Sequence, residues 1–178
     1  MVKHKFNTLI IHRFVLIFIL LIAQTLQLYL AGLCHAGLID RIVAYIDDQA
    51  VTYSEFEERF AKMKEIIPGI TKEEALNSMI NTLLLLNQAR RMKLEASSDD
   101  DLIKEYVDVK IKSRIVIKEE TLNEYYLKHK QEFGGKDYLA VREGIEKYLT
   151  ELETNKRLKE HIEELRHQSN IVIQLRDK

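Results

Sequence analysis

Proline is almost missing from this chain of 178 residues, where Pro68 stands alone beside six glycines, no tryptophan and one cysteine. So few breakers point to long helices joined by short connections, and no internal repeat or low-complexity segment interrupts them. No glycine-rich phosphate loop is present, so ATP is not implied. The lone cysteine, Cys34, rules out an internal disulfide. If the chain is cut after Ala36, no Cys-based nucleophile remains and packing alone holds the fold.

Acidic residues are absent from the first 36 positions, which carry Lys3, His4, Lys5, His12 and Arg13 ahead of the apolar run Phe14 to Ala23. That is the layout of a secretory signal. Cys34-His35-Ala36 places small residues where a signal peptidase reads, so the expected division is a signal peptide at 1–36 and one domain at 37–178. The alternative is an uncleaved inner-membrane anchor over Phe14 to Leu33, weakened by Gln24 and Gln27, since a span needs about 20 apolar residues. Leu33 beside Cys34 argues against acylation of the thiol, because a lipoprotein signal carries a small residue there.

Cleavage would remove Lys3, Lys5 and Arg13 and leave 24 basic against 28 acidic side chains, a net charge of −4 with the signs interspersed. A phosphate-binding surface concentrates positive charge on one face, so nucleic acid is not an expected partner.

The β-branched run Arg41 to Ile46 reads as a strand, with Ala50-Val51 as its possible return. Thr52-x-x-Glu55 and Thr71-x-x-Glu74 are capping boxes. The first opens a helix with Phe56, Phe60, Met63 and Ile67 on one face, ended by Pro68-Gly69. The second opens a helix, through Leu83 to Leu86, that is apolar nearly all round and is expected at the centre. A third helix from Ser98 should bury Leu102, Tyr106 and Val109, followed by an extended link over 113–117. Leu122, Tyr126, His129 and Phe133 then share the spacing of one helical face. The last helix, about 137–168, carries Val141, Ile145, Leu149, Leu152, Leu158, Ile162 and Leu165. Ile171, Ile173 and Leu175 alternate as a strand that can pair only with the one near Ile42. The fold class expected is mainly α, with a small β element joining the N-terminal and C-terminal strands.

Nothing in the polar residues converges on a reaction. His161 and His167 are six apart, nearly opposite on a helix, so they do not share a metal. Asp99-Asp100-Asp101 suits the positive end of a helix better than a cation. No catalytic, cofactor-binding or metal-binding residue is expected. The candidates for binding an apolar partner are Met63, Met79 and Met92, which are flexible and polarisable, and Tyr106, Tyr125, Tyr126 and Phe133. The methionines are also ordinary core residues by type, and the tyrosines suit the rim of a core equally well.

Three stretches in order resemble the SurA-type periplasmic chaperones. Leu38 to Thr52 is similar to the opening of the mature proteins, Ser113 to Ile117 with Tyr125-Tyr126 to the stretch that leads into their parvulin-type prolyl isomerase domain, and Arg157 to Arg166 with Ile171-Val172-Ile173 to the helix and strand that close them. In that family an isomerase domain of about a hundred residues follows. Here only Gly134, Gly135 and Lys136 precede the next helix, a scar near 133–137. The resemblance implies a helical chaperone domain whose two ends meet. It would bind unfolded, outer-membrane polypeptides in the periplasm without isomerase activity, with a homodimer possible. The stretch from Ser97 to Ser113 is shorter than the helical hairpin usual there, which implies a smaller or differently lined groove.

Overall fold

Residues 40–175 are described by the computed structural model. The expectations for the signal peptide, its cleavage, Cys34 and the apolar run lie outside the described residues.

Strand β1 (Ile42–Ile46) turns at Asp47, which takes the left-handed region at φ 51°, and returns as β2 (Gln49–Thr52). Aspartate tolerates that conformation better than most residues with a Cβ. Strand β3 (Ile171–Ile173) pairs antiparallel with the other edge of β1, Tyr45 opposite Val172, in the order β2-β1-β3. The two ends of the described chain therefore meet in one sheet, as the alternation of Ile171, Ile173 and Leu175 requires.

Thr52 caps α1 (Tyr53–Ile66), its side chain accepting from the Glu55 N–H, and Asp40 accepts from the Ser54 N–H. Phe56 is buried and stacks on Phe60 at 5.7 Å. Ile67, expected on the same face, is exposed because it is the C-cap and has left the helical path. Both halves of the capping box form at Thr71 and Glu74, opening α2 (Lys72–Arg91). Ala75, Leu76, Met79, Ile80, Leu84, Leu85, Leu86 and Ala89 are all buried, so α2 is the central helix as its composition demands. Ser98 caps α3 (Asp99–Lys110), and Asp99, Asp100 and Asp101 sit exposed in its first turn. Leu102 and Tyr106 are buried, but Val109 is exposed. The face turned to the core is completed by Ile103 and Val107, and Val109 lies about 90° round from its centre at 3.6 residues per turn.

The link after α3 is extended only in part: Lys112–Arg114 form a 3-10 turn, and residues 115–118 run without regular structure into α4 (Glu119–Lys128). The face of Leu122, Tyr126, His129 and Phe133 does not belong to one helix. His129 is the C-cap of α4, and Phe133 ends a second 3-10 turn (Lys130–Phe133). Gly134 and Gly135 follow with φ of 60° and 83°, a consecutive left-handed pair that side chains would strain. Asp137 then caps α5 (Tyr138–Gln168).

At about 1.5 Å per residue, the 31 residues of α5 span some 46 Å. Its C-terminal half, through Leu158, Ile162 and Leu165, joins the main core of sheet, α1, α2 and α3. Its N-terminal half, through Val141, Ile145 and Leu149, builds a second cluster with Ile117, Leu122, Tyr126 and Phe133. Leu152, expected on the buried stripe, is exposed because it lies on the stretch of α5 between the two clusters.

Candidate functional site: an open groove between α4 and α5

Beside the second cluster lies an open groove of about 360 Å³. Tyr125, at the end of α4, and Glu132 and Phe133, from the 3-10 turn, line one side. Ala140, Val141, Gly144, Ile145 and Tyr148 of α5 line the other. The helix periodicity explains the second set: 141, 144, 145 and 148 are spaced i, i+3, i+4 and i+7.

Aromatic rings build the walls. Phe133 stacks on Tyr126 at 5.7 Å, and Tyr126 meets Tyr138 at 5.5 Å. Tyr125 stacks on the His129 imidazole at 4.2 Å and approaches Tyr148 at 5.6 Å. Tyr126 is buried, its hydroxyl donating to the Lys136 carbonyl at 2.9 Å, so the turn at Gly134 to Lys136 is anchored from beneath. His129 Nδ1 lies 2.9 Å from Glu132, which fixes the 3-10 turn to the end of α4.

The two sides are fastened together by Glu119, the first residue of α4. Its carboxylate accepts from Arg142 Nε and Nη2 and from the Tyr138 hydroxyl, the last at 2.6 Å. Arg142 also donates to Glu146 at 2.9 Å. The guanidinium and the phenol hold the Glu119 carboxyl below the usual carboxylate range, and Glu119 in turn keeps Arg142 firmly protonated. Loss of water around Tyr125, with Tyr148 beside it, raises the Tyr125 phenol.

Gly144 is the informative position. It lies in the middle of α5, where glycine costs about 1 kcal/mol relative to alanine. Its backbone φ is not positive, and a Cβ there would meet no atom within 4 Å. Neither conformation nor close packing requires glycine, and the space its side chain would occupy belongs to the groove.

Of the seven residues that the sequence nominates, Tyr125 and Phe133 line this groove and Tyr126 supports it. Met79 and Tyr106 are buried in the main core, and Met63 packs against it half-buried. Tyr106 donates to or accepts from His161 Nε2 at 2.7 Å, a core hydrogen bond across 55 residues. Met92 is exposed at the C-cap of α2 and belongs to neither cluster. Sequence reasoning missed Val141, Gly144, Ile145 and Tyr148 as one surface. The break in a helical stripe made by glycine, followed four residues on by tyrosine, was the available signal. Among the described residues no group of His, Cys, Asp or Glu could hold a metal ion, and no helix is long and apolar enough to cross a membrane.

Comparison with known proteins returns no matching family model, no significantly similar curated protein and no significantly similar solved structure.

Proposed function

We propose that this chain is a holding chaperone of the SurA type without an isomerase domain, which binds unfolded polypeptides by taking their apolar side chains into the groove between α4 and α5. The observation that carries the reading is the open aromatic groove with Gly144 in its lining, a position where folding alone gives no reason for glycine. Burial of apolar surface is worth about 25 cal/mol per Å², so one aromatic anchor yields a few kcal/mol before the cost of ordering the client. Such binding is reversible and needs no nucleotide.

The signal-like residues 1–36 support a periplasmic place of work, and outer-membrane polypeptides are then the clients. The turn at Gly134 to Lys136 supports the absence of isomerase activity, since three residues cannot carry a catalytic domain. The test is twofold. The protein should suppress aggregation of an unfolded β-barrel polypeptide, and it should leave the refolding of a proline-limited substrate at its uncatalysed rate of tens of seconds or slower. Aggregation unaffected by a molar excess of protein would defeat the holding role. Acceleration of the proline step at catalytic concentrations would defeat the non-enzymatic one.

A further inference from the structure

A second surface, separate from the α4–α5 groove, lies along residues 115–118. This segment is extended at both ends, Ile115 at φ −90°, ψ 122° and Lys118 at φ −70°, ψ 147°. Among the described residues, Val116 and Ile117 make no backbone or side-chain hydrogen bond. Val116 is 84 % exposed, while Ile117 packs inward against the second cluster. Val116 therefore presents an unpaired N–H and C=O on one open edge. Between this edge and α5 lies a trough of about 310 Å³ with Leu149 and Leu152 as its apolar wall and Lys156 and Arg157 at its rim.

Charge sets this surface apart from the rest of the chain. From Val109 to Lys118 there are four cations, Lys110, Lys112, Arg114 and Lys118, and no acidic residue. Lys156 and Arg157 add two more. The neighbouring anions are Asp108, 3.8 Å from Lys112, Glu153, which lines the trough and pairs with Arg157 at 2.7 Å, and Glu119 and Glu120, which follow Lys118. Arg157 also leans on the Arg114 carbonyl at 3.5 Å, which draws the α5 cations onto the segment.

We infer that Val116 and its neighbours are a docking edge for an extended peptide that alternates apolar and acidic residues. The peptide adds as a strand to the free edge, sets apolar side chains into the trough and places its carboxylates against Lys156, Arg157 and Arg114. Strand addition uses main-chain hydrogen bonds for affinity and pockets for alternate side chains for selectivity; here, on an extended segment that belongs to no sheet, the unpaired Val116 N–H and C=O offer the first and the trough the second. The trough has no aromatic ring among its lining residues, so it offers no platform for stacking nucleic-acid bases. The inference does not depend on the α4–α5 groove binding clients.

The test is a titration of the full-length chain, followed by amide NMR, with four eight-residue probes. These are an alternating Leu-Glu peptide, an alternating Leu-Lys peptide and two Leu-Glu peptides N-methylated at alternate residues, one in each register, so that each lacks the donors of one edge. The Leu-Glu peptide should bind at least tenfold more tightly than the Leu-Lys peptide at low salt and shift the amides of Val116 and Ile117. One of the two N-methylated registers should lose binding. Lys156→Glu with Arg157→Glu should reverse the preference, and its unfolding curve shows whether the variant is folded. The more conservative Lys156→Gln keeps the test valid if it is not, and should weaken the Leu-Glu peptide several-fold. Equal binding of the two peptides, indifference to N-methylation in both registers, or an oligothymidylate probe that binds as tightly as the Leu-Glu peptide would each overturn the inference.

Discussion

Asp47 and Asn170 exchange two hydrogen bonds across 123 residues: the Asp47 N–H donates to the Asn170 carbonyl at 2.9 Å, and the Asn170 N–H donates to the Asp47 carboxylate at 2.8 Å. The residue that turns the first hairpin thus also sets the point where the last strand enters the sheet. An isolated pair of short strands is marginal, so this clasp and the helices beneath stabilise each other.

Asp47→Ala removes the carboxylate and places a β-carbon residue at positive φ without aspartate's local compensation. About 1 kcal/mol for the backbone and about 1 for the hydrogen bond predict a loss near 2 kcal/mol. Thermal unfolding should shift down by roughly 4 °C per kcal/mol for a chain of this size. Asp47→Asn keeps the acceptor and the tolerance for that conformation, and should melt near the parent.

Deletion of residues 171–178 removes β3 and should lower the melting temperature by several degrees, on the same scale. An unchanged melting curve would mean that the strand contributes nothing to the fold.

Phe133→Ala should cost less stability than the about 3–5 kcal/mol of a fully buried phenylalanine, because Phe133 is only half-buried beside the groove. It should weaken client holding more than its stability loss explains. Unfolding and aggregation suppression measured on the same variant separate the two effects.

Acid should loosen the α4–α5 pairing. The Glu119 carboxyl is depressed chiefly by Arg142 and then by Tyr138, so its contribution is present above the unfolded carboxylate range near 4.3 and is lost as pH falls through the lower folded value. Glu119→Gln should therefore flatten part of the acid limb of the stability curve. At the alkaline end the sign reverses: burial raises the Tyr106 phenol, so its contribution is intact below about pH 10 and is lost as pH rises above it. Denaturant unfolding across pH checks both limbs.

The sequence makes the helices and strands legible because their signals are local. Thr71 with Glu74, Ser98 ahead of Asp101 and Pro68 mark their boundaries by hydrogen bonds and backbone limits that act within a few residues. The pairing of Ile171–Ile173 with β1 was legible for a different reason: an alternating strand at the end of a helical chain has one available partner. Val109, Leu152 and the one-helix reading of Phe133 mislead because periodicity reports spacing and not what faces a residue. Leu152 obeys the stripe of α5, yet no cluster lies opposite it. The groove was half legible. Tyr125 and Phe133 are large and adjacent to the glycine turn, whereas Gly144 shows in the sequence only as a break in the α5 stripe four residues before Tyr148, and that break points to a groove only once α4 is placed across from it.

The most direct measurement of the central claim pairs unfolding with aggregation suppression for Gly144→Ala and Gly144→Leu. Helix propensity predicts that both raise stability, the alanine variant by up to about 1 kcal/mol. If the groove holds clients, the alanine variant should hold them slightly less well and the leucine variant, whose side chain fills the space above Gly144, should lose most of the suppression while remaining at least as stable as the parent. A stable leucine variant that still suppresses aggregation at the parent's level would contradict the account.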